Sequence, residues 1–251
     1  RSDAGEVHVI FGRVGLEGTS PIDLARRAAD VTIYGASAGD GLGMSVVIGD
    51  VDGGGTGDLI VGAPFVRRGS RGYSAGAVYI FLGPLARGTI IDLARDPAAP
   101  AMTIAGADVH NYLGSRLLAA DFDGDGHDDL LADAPGADRP DGTRPCCGRA
   151  ALVAGADIAE AIRIGATIDL ASPPAGVPLA EIYGPVSRGA GSTCSVALGF
   201  EIGMSLNPFG AGDVNGDGLH DLVVGSPDLD PTGDRPGGGR GRCGTPASRG
   251  R

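Results

Sequence analysis

Four aspartates, Asp121, Asp123, Asp125 and Asp129, occupy positions 1, 3, 5 and 9 of DFDGDGHDDLLADAP, which places five aspartates in nine residues and then turns apolar. Alternate side chains of a tight loop can converge on one centre, and converging carboxylates suit a hard cation that takes several oxygen ligands. Gly124 and Gly126 permit the turn, with Gly126 at the sixth place, where a left-handed backbone is usual. The carbonyl of residue seven, His127, offers one more oxygen. Ca²⁺ fits this cage better than Mg²⁺, because its geometry is more tolerant. The bland alternative is a solvated Asp/Gly turn that holds no ion. Asp128, at position eight, reads as a solvent-facing neighbour.

The stretch recurs. GDVNGDGLHDLVVGSP supplies Asp213, Asn215, Asp217, Asp221 and the carbonyl of Leu219. GDVDGGGTGDLIVGAP supplies Asp50, Asp52, Asp58 and the carbonyl of Thr56, with Gly54 where the fifth-position carboxylate should stand. Up to three cation sites are therefore expected, the first of them the weakest. An EF-hand is excluded, since it needs a bidentate Glu at position twelve and a helix on each side. Position twelve is Val61, Ala132 or Val224, each inside an apolar run.

The elements that position these loops also repeat. The leading aspartates are 71 and 92 residues apart, and the same landmarks surround each in one order. A run such as GEVHVIFG, GAVYIFLG or GRAALVAG comes first. An IDLA segment follows at Ile22, Ile91 and Ile168, then VTIYG, MTIAG or AEIYG, then LGMS, LGSR or IGMS. Three units are read, about 5–75, 76–147 and 148–236, within one domain spanning 1–251. Apolar runs of four to six residues bounded by Gly, Pro or Asp are strands, and the IDLA pieces are expected to be short helical turns. Gly (46) and Pro (17) are abundant, and aromatics are only 4% against 42% hydrophobic residues, so the core must be Val, Ile, Leu and Ala. Repeated short-stranded units point to a radial or stacked all-β architecture.

The order LG…S, DxDGDGxxDL, VGAP resembles the FG-GAP repeat of integrin α-subunit propellers and their bacterial secreted or surface relatives. Its first step appears as Leu42-Gly43, Leu113-Gly114 and Ile202-Gly203. Its second appears as Gly62-Ala63-Pro64, Asp133-Ala134-Pro135 and Gly225-Ser226-Pro227. The resemblance implies an all-β propeller, here partial, with about three four-stranded blades and Ca²⁺ in the loops. It also implies a non-catalytic, secreted or cell-surface segment for adhesion or protein recognition. The partner is an unidentified protein or cell-surface ligand, together with further repeats of the same parent chain. Two alternatives are an accessory propeller of a larger secreted hydrolase and a truncated fragment with no function of its own. The chain opens on Arg1 rather than Met, and GEVHVIFG looks like the closing strand of a blade that begins elsewhere. No matching strand follows Pro227. Either the first strand completes the last blade or the chain is a piece of a longer protein, and the second reading is preferred.

Other chemistry is poorly supported. GASAG at Gly35–Gly39 matches a nucleophile elbow, but that motif needs a strand before it and a helix after it. GRGRCG at Gly239–Gly244 lacks the strand–helix unit of a dinucleotide site. The four histidines are scattered. The loop acids could imitate a glycosidase pair, but they are needed as cation ligands and no aromatic sugar platform accompanies them. A net charge of −11 argues against nucleic acid. No window approaches the roughly 20 apolar residues of a membrane span. Cys146, Cys147, Cys194 and Cys243 allow two, one or no disulfides and fit no zinc pattern. The Arg/Gly-rich end, 237–251, is expected to be poorly ordered.

Overall fold

A short strand whose residues are mostly apolar on both faces must be covered on each side by a neighbouring sheet. DLIVGA (Asp58–Ala63) and DLLADA (Asp129–Ala134) are such strands, and every residue in both is buried. The computed structural model describes residues 2–14, 22–24, 29–68, 73–139, 148–174, 177, 179–183 and 209–225. The four cysteines, Ile202-Gly203, Ser226-Pro227, GRGRCG and the 237–251 tail lie outside them.

Sixteen strands and one helix occur among the described residues. The first unit holds β1 (Glu6–Val9), β2 (Val31–Tyr34), β3 (Ser45–Gly49), β4 (Asp58–Ala63), β5 (Arg67–Arg68) and β6 (Tyr73–Ser74). The second holds β7 (Ala77–Phe81), β8 (Thr89–Asp92), β9 (Met102–Ala105), β10 (Leu117–Ala120) and β11 (Asp129–Ala134). β12 (Arg149–Val153), α1 (Gly155–Arg163), β13 (Ile168–Asp169), β14 (Leu179–Tyr183), β15 (Phe209–Gly212) and β16 (Asp221–Val224) complete the series.

β3, β4, β7 and β9 pair antiparallel in that order, and β10, β11, β12 and β14 repeat the arrangement. Each complete blade therefore begins after the LG…S step and crosses into the next sequence unit. β1–β2 correspond to the third and fourth strands of a blade, and β15–β16 to the first and second. The strands amount to three blades of a propeller, arranged as two whole blades between two halves. Among the described residues, no helix is long and apolar enough to cross a membrane.

Alternate residues of each second strand serve different cores. Leu59 and Val61 face the preceding half blade, packing with Val7, Val31 and Ile33. Ile60 faces the other way and joins Val78, Ile80, Ile104, Leu130 and Ala132 between the complete blades. Leu131 then turns toward Phe209 and Leu222 of the last half blade. The half blade β1–β2 covers only the outer part of its neighbour. Val46 and Ile48 on the inner strand β3 stay 48% and 67% exposed, beside buried Val61 and Leu59.

The IDLA segments differ from the helical turns read from the sequence. Ile91-Asp92 ends β8, which pairs in parallel with β2, and Ile168-Asp169 forms β13, which pairs in parallel with β9. Each straps a blade to the outer strand of the one before it, and the chain turns only after the aspartate. Arg68 holds the second strap, with its guanidinium bonded to both Asp169 oxygens at 2.7 Å. Helix α1 was not legible in the sequence.

The repeat landmarks are where backbones from adjacent blades touch. Gly76 bridges Leu113, and a Cβ on Gly76 (φ +84°) would lie 2.2 Å from the Leu113 carbonyl oxygen. Gly62 is equally crowded, since its Cβ would lie 2.0 Å from the Gly114 oxygen. The second unit has Asp133 in place of Gly62. Asp133 is fully buried, neither carboxylate oxygen has a hydrogen bond, and Arg116 stands 3.6 Å away.

Gly76→Ala should lower stability by about 2–4 kcal/mol, measured by denaturant unfolding, because both conformation and space oppose a methyl. Burial pushes the Asp133 carboxyl well above its ordinary range, against the opposing pull of Arg116. A raised acid is best tolerated when neutral, so its contribution is most favourable at low pH and becomes a penalty as pH rises through the folded value. Asp133→Asn should therefore raise Tm at neutral pH. The gain should disappear below about pH 3.9, the ordinary aspartate value.

Candidate metal centre

Each acidic loop is the tip of a hairpin: residues 50–57 join β3 to β4, 121–128 join β10 to β11, and 213–220 join β15 to β16. The sequence folds them alike because each aspartate captures a backbone N–H a few residues on, forming a series of Asx turns. The position-one carboxylates of Asp121 and Asp213 each accept two bonds, from Gly124 and Gly126 and from Gly216 and Gly218. Position three bonds to position five, as in Asp52 to Gly54, Asp123 to Asp125 and Asn215 to Asp217. Asp125 and Asp217 accept from His127 and Leu219 in turn. The fourth and sixth residues are glycines with positive φ in all three loops, from +68° at Gly53 to +91° at Gly126 and Gly218.

These turns gather carboxylate oxygens. One oxygen from each of Asp50, Asp52 and Asp58 lies within 4.8 Å of the others, and the same holds for Asp121, Asp123 and Asp125. In the first loop Asp50 Oδ2 accepts from Gly55 N–H at 2.7 Å, while Oδ1 is buried and has no partner. A buried, unpaired carboxylate oxygen on a residue clustered with other carboxylates is unfavourable unless a cation joins it. The donor set therefore fits a hard divalent ion. The third loop is more open: Asp213, Asn215 and Asp217 are exposed, and its acids form no such triplet. Thr56, His127 and Leu219 stand at the seventh place, where His127 is half-buried and the other two are exposed.

Position nine has a second task that sequence reading did not reveal. Asp58 accepts from Val51 N–H at 3.0 Å and from Gly83 N–H, just beyond β7, at 2.9 Å. Asp129 accepts from Phe122 N–H at 3.1 Å and from Gly155 N–H at 2.8 Å. Gly155 is the first residue of α1, whose N-cap Ala154 offers no side-chain bond, so Asp129 caps the helix from a distant loop. Asp129 thus stands apart from the triplet of its own loop, whereas Asp58 belongs to its triplet. Burial pushes both carboxyls up, opposed by these N–H bonds. In the exposed third loop, Asp213 is held below the usual range, chiefly by the Gly218 N–H. Among the described residues, Asp221 shows the local part of the pattern, accepting from Val214 N–H and from the Asn215 amide.

Asp128 is half-buried rather than solvent-facing, and its Oδ2 accepts from Asp50 N–H at 2.8 Å. The GASAG serine, Ser37, lies in a turn that leads from β2 to a short bridge at Leu42 instead of a helix, and its N–H bonds to Asp40. That is not a nucleophile elbow. His8 pairs with Glu6, and His127 and His220 belong to the acidic loops.

The FG-GAP repeat family matches residues 42–81, 113–144 and 209–242, and each interval contains one acidic loop. Integrin alpha-PS2 of Drosophila melanogaster is 28% identical over 229 residues, which is 89% of this chain and 13% of that protein. Phosphatidylinositol-glycan-specific phospholipase D of Rattus norvegicus is 35% identical over 137 residues, 54% of this chain and 15% of the enzyme. Its Homo sapiens counterpart is 33% identical over 133 residues, 52% of this chain and 14% of the enzyme. The chain thus spans a small part of the length of the curated relatives it matches.

The position-nine anchors should matter with or without an ion. Asp129→Asn, measured in chelator, should cost about 1–3 kcal/mol, because the buried Phe122 or Gly155 N–H loses its charged acceptor. Asp123→Asn should cost little under the same conditions, since Asp123 is exposed.

Proposed function

We propose that this chain, which carries three FG-GAP repeats, is a calcium-stabilised, non-catalytic propeller segment for adhesion or protein recognition outside the cell. The observation that carries the cation reading is the buried, unpartnered Oδ1 of Asp50, set against Asp52 and Asp58. Asp50, Asp52, Asp58 and the Thr56 carbonyl would hold an ion in the first loop. Asp121, Asp123, Asp125, Asp129 and the His127 carbonyl would hold one in the second. Asp213, Asn215, Asp217, Asp221 and the Leu219 carbonyl would hold one in the third. Calcium supplies the positive charge that lets these oxygens lie together at a hairpin tip. Gly54 brings no carboxylate to the first loop, which makes it the weakest of the three. Sites of this kind bind in roughly the 0.1–1 mM range of extracellular modules, which suits a calcium-rich environment.

The similarity to an integrin alpha chain across 89% of the sequence supports a recognition role. The β4 and β11 strands run from the acidic loops to the opposite rim. There Met44, Pro64, Phe65, Tyr112 and Arg116 line a pocket of about 170 Å³, an apolar surface with one charged edge. The similarity to phospholipase D enzymes favours a second reading, an accessory propeller in a larger secreted hydrolase. A catalytic domain in the neighbouring sequence of the parent chain would select it. A surface anchor or a longer repeat array would select adhesion.

Removal of calcium by chelator should lower Tm, and calcium should restore it where an equal concentration of magnesium does not. With calcium at roughly 10 mM, each occupied site should add about 1.4–2.7 kcal/mol of stability. An identical melting curve in chelator and in calcium would reject the proposal. Binding at the first loop as tight as at the second would reject the ranking of the sites.

A further inference from the structure

Consecutive loops touch, and both contacts use the same two loop positions, seven and eight. Asp128, residue eight of the second loop, grips residue one of the first. Its N–H donates to the Asp50 carbonyl at 2.8 Å, and its Oδ2 accepts from the Asp50 N–H at 2.8 Å. Residue seven of the second loop, His127, fills the space above Gly53, where a Cβ would lie 2.5 Å from the ring Cε1. One blade further on, His220 Nδ1 lies 3.2 Å from the Asp121 carbonyl oxygen. Leu219 Cδ2 fills the space above Gly124, 2.8 Å from where a Cβ would stand. The partners are 78 and 99 residues apart, and no local turn preference brings them together.

We propose that residues seven and eight of the second and third loops brace the preceding loop, with residue eight on its first ligand, so that cation binding at neighbouring loops is coupled. The inference rests on the calcium reading above. Asp128 holds both backbone groups of Asp50, and the Gly55 N–H holds Asp50 Oδ2, so Oδ1 is the oxygen left without a hydrogen bond. Asp128 is a positioning residue and not a ligand, because the Oδ2 it brings to the first loop is spent on a backbone N–H. The brace starts at the peptide after His127, whose carbonyl is a ligand of the second loop's own ion. An ion there fixes the peptide that carries Asp128, and by linkage an ion at the first loop favours the second equally. At Gly53 and Gly124 a side chain is thus opposed twice, by the positive φ and by the neighbouring loop's side chain.

Hydrogen exchange of the 251-residue chain, followed across a calcium titration, reads each loop separately from peptides covering 50–57 and 121–128. Asp128→Ala should raise the calcium midpoint of the first loop about tenfold, the effect of losing a half-buried charged acceptor. Asp128→Asn, which keeps an acceptor, should stay near the original midpoint, and exchange of β4 and β11 in chelator should be unchanged. His220→Ala should raise the midpoint of the second loop by about threefold, as one exposed bond allows, and it tests the brace should Asp128→Ala fail to fold. Calcium protection with unmoved midpoints in these variants would overturn the brace and leave the calcium reading standing. No calcium protection at any loop of the original chain would overturn both.

Discussion

One carboxylate in each of the first two hairpins, at the ninth position, does the joining on which the remaining geometry depends. Asp58 and Asp129 are buried, and each ties the start of its own loop to the residue leaving the third strand of the blade. The first three strands are thereby closed at one rim, and the apolar second strand enters the core from a fixed point. Burying an acid this way is unfavourable in itself, as the upward displacement of both carboxyls indicates. Two N–H bonds per carboxylate offset the cost. In the second blade Asp129 also gains from the N-terminus of α1, where the helix dipole favours negative charge.

With the tip fixed, register decides the rest. Because side chains alternate along a strand, Leu59 and Ile60 fall in different cores, as do Leu130 and Leu131. A second strand with a polar residue at any of these places would expose that residue to a packed interface. Asp133 is a buried polar residue further along such a strand, with oxygens that lack hydrogen bonds and with Arg116 at 3.6 Å. The two rims consequently differ in chemistry. One carries clustered acids and close backbone turns. The other carries Pro64, Phe65 and Tyr112, the last two in an edge-to-face contact at 6.0 Å.

The loops were legible in the sequence because Asp and Gly at fixed offsets specify an Asx-turn series with hardly any outside help. The strands were legible from their length and punctuation, a radial or stacked all-β architecture from the repetition of both, and the propeller from the resemblance to FG-GAP repeats. Blade phase was not, since GEVHVIFG and LGMSVVIG are equally good strands and only pairing tells a third strand from a first. The IDLA straps looked like turns because two parallel-paired residues leave no periodic signal. Helix α1 was missed for a physical reason: GADIAEAIR has no capping side chain before it, and its cap is Asp129, 26 residues earlier. Asp128 was misread as solvent-facing because its partner, Asp50, belongs to another blade.

The brace and the core act across the same joint. Sheets that meet only their neighbours gain stability interface by interface, and here each interface is built from Val, Ile, Leu and Ala, with aromatics at 4% of the chain. The line of contacts from His127 and Asp128 to the first loop, and from Leu219 and His220 to the second, runs parallel to those apolar interfaces at the rim. A shift of one blade against the next would have to break both. On the proposed calcium reading, an ion that ordered a loop would act on the same joint between blades as the apolar interfaces do.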